Sequence, residues 1–239
     1  MKKIFISGVS TGLGHALART ALQEGHSVYG ISRRQPEDIL SHPRFHFANC
    51  DLATLETIPG ALKKIFDGVD TLDQIILNAG VLWRIADMAD TSVETLRWMM
   101  DVNVLCNKPI LDFVFHRNMD VTQVVAISSG ASVMGSRGWN GYSISKAALN
   151  MLIKLYAAER PDTHFSALAP GLVETYMQDQ VKDLPEDPRF PTIERLQKAR
   201  GTQDMPKPEE ASKKLHRIFP KLLKYPSGEF LDIRTMKLD

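Results

Sequence analysis

The chain has 239 residues, enough for one α/β domain with a full core and no need of a second. Its 29 basic and 28 acidic residues leave a formal charge of +1, which argues against a nucleic-acid partner and against an anionic membrane surface. Hydrophobic residues at 44% and charged residues at 24% are ordinary for a globular chain, and no apolar run approaches the roughly 20 residues that span a bilayer.

Met1-Lys2-Lys3 leads into a short apolar run that stops at Ser7-Gly8, well short of the roughly 7–15 residues of a secretion signal. Lys3–Ser7 therefore reads as a first buried strand, and Leu13–Glu24 as the helix after it. Strands follow at His26–Ile31 and Phe45–Cys50, then a helix at Ile58–Phe66 and a strand at Gln74–Leu77. Ser92–Phe115 reads as one long helix, Val121–Ser128 as a strand, Tyr142–Ala158 as an apolar helix and His164–Ala169 as a strand. A helix at Pro208–Phe219 and a short strand at Gly228–Ile233 complete the series. Strands separated by helix-length segments predict a doubly wound parallel sheet of Rossmann-like type, helices on both faces, with a ligand at the carboxyl ends of the strands. Residues 174–208 break the rhythm: Pro185, Pro188, Pro191, Pro206 and Pro208 interrupt a stretch with one helix at Ile193–Ala199. At the ligand edge of a sheet such an excursion reads as a lid, or as a plain surface loop.

The turn after the first strand, Gly8-Val9-Ser10-Thr11-Gly12-Leu13-Gly14, supplies three glycines ahead of a helix N-terminus. Close backbone approach, free N–H groups and the positive end of the dipole suit a pyrophosphate, although glycines at such a turn can also be purely structural. The second strand ends in Ser32-Arg33-Arg34, where a site for NAD usually holds an acid. Arginine there suits the extra 2′-phosphate of NADP(H); the bland reading is solvated loop charge. Tyr142 and Lys146 lie four apart on one helix face. Trp139, Trp83 and Met177 could line a pocket for a bulky carbonyl, or simply fill core, and Trp98-Met99-Met100 reads as helix core. Cys50 and Cys106 lack metal-ligand spacing and fit a reducing cytoplasm; His42 and His46 have Pro43 between them and no third ligand, so no metal is expected.

In order along the chain, the glycine loop, Leu77-Asn78-Ala79-Gly80, Ser128-Ser129-Gly130 and Tyr142-Ser143-Ile144-Ser145-Lys146 resemble the short-chain dehydrogenase/reductase family in its short, single-domain form. The resemblance spans nearly the whole chain, 1–239, with 174–208 as its substrate lid. Leu77 replaces the usual first Asn, and Ser7 the usual Thr. The resemblance implies that Asp51 and Leu52 contact adenine, that Asn78, Ala79 and Gly80 flank the cofactor, and that Pro170, Gly171, Val173 and Thr175 lie on its nicotinamide side. It selects Ser129, 13 residues before Tyr142, over Ser128, and adds Asn103 as the fourth catalytic member. Ser129-Gly130-Ala131, Gly138-Trp139, Glu174-Thr175-Tyr176-Met177-Gln178 and Gly228-Glu229-Phe230-Leu231-Asp232-Ile233-Arg234 are most similar to the sepiapterin reductase and bacterial benzil reductase branch.

These matches imply an NADP(H)-dependent reductase of a small ketone or diketone. Tyr142 would be the proton donor, its phenol lowered from about 10 by the Lys146 ammonium. Ser129 would hold the carbonyl oxygen, and Asn103 a water linking Lys146 to solvent. Trp139 and Met177 would contact substrate beside Ser129 and Tyr142. The resemblance also implies a homodimer or homotetramer. The rival readings are a catalytically idle NADP-binding regulator and a 3-oxoacyl-carrier-protein-type reductase; an extended-family epimerase would need a larger substrate domain than 239 residues allow.

Overall fold

The computed structural model of the chain describes residues 1–237. Seven parallel strands form one sheet: β1 (Lys3–Ser7), β2 (Ser27–Ser32), β3 (Phe45–Asn49), β4 (Thr71–Leu77), β5 (Asp120–Ile127), β6 (His164–Ala169) and β7 (Glu229–Asp232). Their order is β3-β2-β1-β4-β5-β6-β7, so the winding reverses between β1 and β4. That reversal opens a crevice at the carboxyl ends of these two strands.

Alternation along the strands feeds two cores, one on each face. Phe5, Ile75, Val124, Ala126, Phe165 and Ala167 point to one face and pack under α2 (Ile58–Ile65), α4 (Asn107–His116) and α5 (Asn140–Glu159). Ile4, Ile6, Ile76, Val125, Ile127 and Leu168 point to the other, beneath α1 (Gly12–Gln23) and α8 (Pro208–Leu222). The doubly wound sheet expected from the sequence is thus present, with strand limits within three residues of those expected.

Three helical details differ. The expected single helix over Ser92–Phe115 is α3 (Val93–Met100), a π-turn at Asp101–Leu105 and then α4. Pro109 is the third residue of α4; it has no N–H for the Leu105 carbonyl and its ring crowds that carbonyl, which favours a wider turn just upstream. The last helix does not stop before Pro220 but runs on to Leu222. Pro220 is exposed, and the fully buried Leu222 holds the final turn against the core. Residues 174–208 hold two helices, α6 (Tyr176–Lys182) and α7 (Pro191–Ala199), where one was expected. The Gln197 side chain donates to the Val181, Lys182 and Leu184 carbonyls at 3.1, 3.2 and 2.9 Å, closing the end of α6. Val181, Leu196 and Met205 form a small core of their own between these helices.

No helix among the described residues is long and apolar enough to cross a membrane.

Candidate active site

The β1 and β4 ends are tied side by side. Ser7 Oγ accepts the Asn78 and Ala79 backbone N–H groups at 3.1 and 3.2 Å, and Asn78 Nδ2 donates to the Ser7 and Gly8 carbonyls at 3.1 and 3.3 Å. This is why a hydroxyl residue serves at position 7 and why Leu77, whose side chain goes into the core, can stand where the family prefers Asn. Gly8 has φ +77°, and a Cβ on it would stand 3.0 Å from the Ala79 backbone. Gly14 is more constrained still: a Cβ would fall 2.2 Å from Asn78 Nδ2 and 2.3 Å from the Gly8 carbonyl.

From this seam opens a cleft of about 830 Å³. Gly8, Ser10, Thr11, Gly12 and Leu13 line one stretch of it, Ser32, Arg33, Arg34, Asp51 and Leu52 another, and Asn78, Ala79 and Gly80 the floor. Ser129, Trp139, Tyr142, Lys146, Pro170, Gly171, Val173, Thr175 and Met177 line the remainder. Of the residues expected at the site, Gly14 and Asn103 do not reach the cleft surface. Gly14 stands behind the loop, making room for Asn78. Asn103 is fully buried in the π-turn. Its Oδ1 accepts the Val81 N–H at 2.7 Å, and its Nδ2 donates to the Val81 carbonyl at 3.0 Å and to Ser145 Oγ at 2.9 Å. With both amide hydrogens engaged, the side chain clamps the Asn-Ala-Gly turn to α5, and a water held by Asn103 would have to sit on its backbone carbonyl.

The two serines at the end of β5 part ways. Ser128 Oγ turns into α5 and donates to Asn150 Oδ1 at 2.5 Å. Ser129 faces the cleft, where its Oγ accepts the Ala131 N–H at 3.1 Å and its hydroxyl neighbours that of Tyr142. Lys146 is 3% exposed; its Nζ donates to the Ile127 carbonyl at 2.8 Å and lies 5.8 Å from the centroid of the Tyr142 ring.

Burial sets the charge states here. It pushes the Tyr142 phenol above its usual value, and the Ser129 hydroxyl pulls only partly against it. It also lowers the Lys146 ammonium to about 8. The expected net lowering of the phenol is therefore corrected: burial outweighs it, and the lowering contribution comes from Ser129. Between about pH 8 and its ordinary 10.5, an unfolded chain keeps a proton on this lysine that the folded chain has released, so the stability owed to this group rises with pH. Relative to a Lys146→Met variant, the wild-type thermal midpoint is expected to gain from about pH 8 to about pH 10, a full swing of no more than about 3 kcal/mol. Parallel curves for the two proteins would show that the ammonium is not desolvated.

The far wall of the cleft is aromatic. Trp139 packs edge-on to Tyr142 with ring centroids 5.9 Å apart, and its indole N–H donates to Thr192 Oγ1 on α7 at 2.7 Å. Trp83 and Trp98 meet edge to face at 5.7 Å, and both line the cleft, so Trp98 is not the core residue expected; Met99, about 100° further round α3, is. Residues 174–208 close one side. A Cβ on Gly12 would meet Thr175 Cγ2 at 3.4 Å, so the base of this segment abuts the glycine loop. Arg200 ties it together through Glu174 at 3.1 Å and Asp179 at 2.6 Å. Asp87 holds its tip, binding Arg137 at 2.6 and 2.8 Å and Arg189 at 3.5 Å. Thr192 and Arg195 are cleft residues that sequence reasoning missed. They share one helical face with Leu196, but nothing in the sequence alone says that this face looks inward.

A family model described as short chain dehydrogenase matches residues 2–185. An uncharacterized oxidoreductase of Schizosaccharomyces pombe is 34% identical over 193 residues, covering 76% of this chain and 75% of that one. A benzil reductase ((S)-benzoin forming) of Bacillus subtilis is 28% identical over 222 residues, 87% of this chain and 89% of its own. A solved short-chain dehydrogenase/reductase from Saccharomyces cerevisiae superposes with a TM-score of 0.82 at 22% identity, over 97% of this chain and 96% of that one. The protein belongs to the short-chain dehydrogenase family of oxidoreductases and is related to its benzil reductase branch.

Proposed function

We propose that the protein is an NADP(H)-dependent carbonyl reductase that acts on a ketone or diketone with an aromatic or bulky body, with Tyr142 as its proton donor. The observation that carries this reading is the pair of neighbouring hydroxyls, Ser129 and Tyr142, set in the same cleft as Lys146, Arg33 and Arg34. The residues fit a dinucleotide: the cleft is large enough, glycine backbone lines it beside the start of α1, and an acid is absent from position 32. Gly8, Ser10, Thr11, Gly12 and Leu13 would hold its diphosphate, Asp51 and Leu52 its adenine, and Pro170, Gly171, Val173 and Thr175 its nicotinamide end. Once bound there, NADPH supplies the hydride. Ser129 and Tyr142 hydrogen-bond the substrate oxygen, and Tyr142 Oη delivers the proton as charge develops there. The raised phenol keeps Tyr142 protonated at neutral pH, the form that reduction needs. Lys146 and Asn103 hold the floor beneath it. Residues 174–208 act as the lid, with Trp139 and Met177 against the substrate. Ile144, Met151 and Leu155 form an exposed apolar stripe on α5, which supports pairing of subunits through this helix as a homodimer or homotetramer.

The direct test is loss of NADPH absorbance with a panel of aromatic diketones that includes benzil. Turnover of at least one is expected. Tight NADPH binding with no turnover on any would favour an NADP-binding regulator.

A further inference from the structure

Charge in the cleft is unevenly used. Its charged lining residues are Arg33, Arg34 and Asp51 at the expected adenosine end, Lys146 on the floor, and three more arginines, Arg84, Arg195 and Arg234. Those last three have no carboxylate among the lining residues to answer them. Asp232 occupies Arg234 through two hydrogen bonds, at 2.9 and 2.5 Å. Arg84 donates to the Asp90 carbonyl at 3.3 Å and has no acid partner among the described residues. The Arg195 side chain has no hydrogen bond, ion pair or ring contact with any described residue, and it is exposed on the cleft side of α7.

Five of the seven acids of the same segment are already engaged. Glu174 and Asp179 pair with Arg200, Asp183 with Lys182, Asp187 with Arg189, and Glu194 with Lys198. Glu186 and Asp204 have no ion pair among the described residues, but neither lines the cleft, so Arg195 is left as a cation on the cleft wall with no carboxylate there to answer it. Its position is set by a chain of contacts that starts at the chemistry: Tyr142 packs on Trp139, Trp139 donates to Thr192, and Arg195 lies one turn further along the same helical face. A molecule whose carbonyl sits at Tyr142 and whose body lies along Trp139 would bring its far end to Arg195.

We propose that the substrate carries a carboxylate at the end remote from the reacting carbonyl, and that Arg195, with Arg84 as the second open cation, selects for it. The proposal rests on the carbonyl-reductase reading and narrows its substrate class to aromatic or bulky oxo acids. A guanidinium favours a carboxylate because it offers paired charge-assisted hydrogen bonds that a neutral group cannot return, and because Arg195 is exposed the preference from each such pair is modest.

The test uses 1-phenyl-1,2-propanedione and its para-carboxylate as a matched pair. Wild-type kcat/KM is expected to be ~3–10-fold higher for the carboxylate, a preference that shrinks as salt is added. In Arg195→Gln that ratio should fall toward one, while Arg195→Lys should keep part of it. A second readout needs no turnover: the tryptophan fluorescence of the wild type, titrated with the para-carboxylate of the corresponding alcohol and with its methyl amide, should report tighter binding of the acid, lost in Arg195→Gln. A wild-type ratio near one, an unchanged ratio in Arg195→Gln, or weaker NADPH binding in that variant would each overturn the assignment, the last by giving Arg195 to the diphosphate. If neither diketone is reduced, the carbonyl-reductase reading fails, and the fluorescence titration still decides whether the cleft selects an anion.

Discussion

Replacing Tyr142 by Phe is expected to lower kcat for ketone reduction by ~10²–10⁴-fold while leaving NADPH affinity close to that of the wild type. The expectation follows from where the hydroxyl sits. The Tyr142 ring is held by its packing against Trp139, which Phe retains, so the substitution removes little besides the one oxygen that neighbours Ser129. At about 1.4 kcal/mol per decade, the loss corresponds to ~3–5 kcal/mol of transition-state stabilisation. That exceeds what a hydrogen bond to bound ketone alone would contribute, about 0.5–1.5 kcal/mol, so the size of the effect separates a proton donor from a mere binding group. Steady-state NADPH consumption gives kcat, and fluorescence titration gives cofactor affinity. A Tyr142→Phe protein that keeps most of its turnover would remove the phenol from the chemistry. A protein that loses NADPH binding in the same proportion would make Tyr142 a cofactor residue and nothing more. The direction of reaction gives a further check. Burial raises this phenol, so reduction should hold across neutral pH, whereas alcohol oxidation, which starts from the phenolate, should climb with pH.

The residues that make the sheet were readable because two-sided burial leaves a local trace: a run such as VVAI in β5 has to satisfy both cores at once. The site was readable in the same way wherever its parts lie at strand ends, since each β-strand delivers its last residue to the same edge. Ser129 against Ser128 needed the family spacing; the structure shows the physical reason, one hydroxyl turned to Asn150 and the other to Tyr142. What was hidden depends on contacts far apart in sequence. α6 is seven residues long, and its end is closed by Gln197, 15 residues beyond it. The inward face of α7 is set by Trp139, 53 residues from Thr192. The rise in the Tyr142 phenol was missed because neighbouring charge can be guessed from a four-residue spacing, whereas desolvation can be read only once the cleft walls are in place. Trp98 was misassigned for a related reason: it adjoins a true core residue, Met99, and the face it presents belongs to the cleft rather than to the sheet.

The pair Arg33→Ala, Arg34→Ala is expected to raise the dissociation constant of NADPH by ~10–100-fold and to change that of NADH by no more than about threefold. Both side chains border the cleft at the end of β2, and neither is buried. Their backbones are fixed more firmly than their side chains: Asn49 Nδ2 donates to the Arg33 carbonyl at 2.7 Å, and Ser32 Oγ to the Arg34 carbonyl at 2.7 Å. Arg33 has one loose ion pair, 3.9 Å to Asp51, in a setting where both side chains are well exposed and the pair contributes little. A 2′-phosphate would therefore meet a guanidinium that gives up almost nothing to receive it. Ser32 would deepen such a preference, because its hydroxyl hydrogen is already committed to the Arg34 carbonyl and no carboxylate stands there to hold the paired ribose hydroxyls of NAD or to repel a phosphate. The NADPH constant should also weaken with rising salt in the wild type and lose most of that dependence in the double variant. Equal weakening of NADPH and NADH would place the arginines on the common part of the dinucleotide, and no weakening of either would leave them as solvated charges at the rim of the cleft.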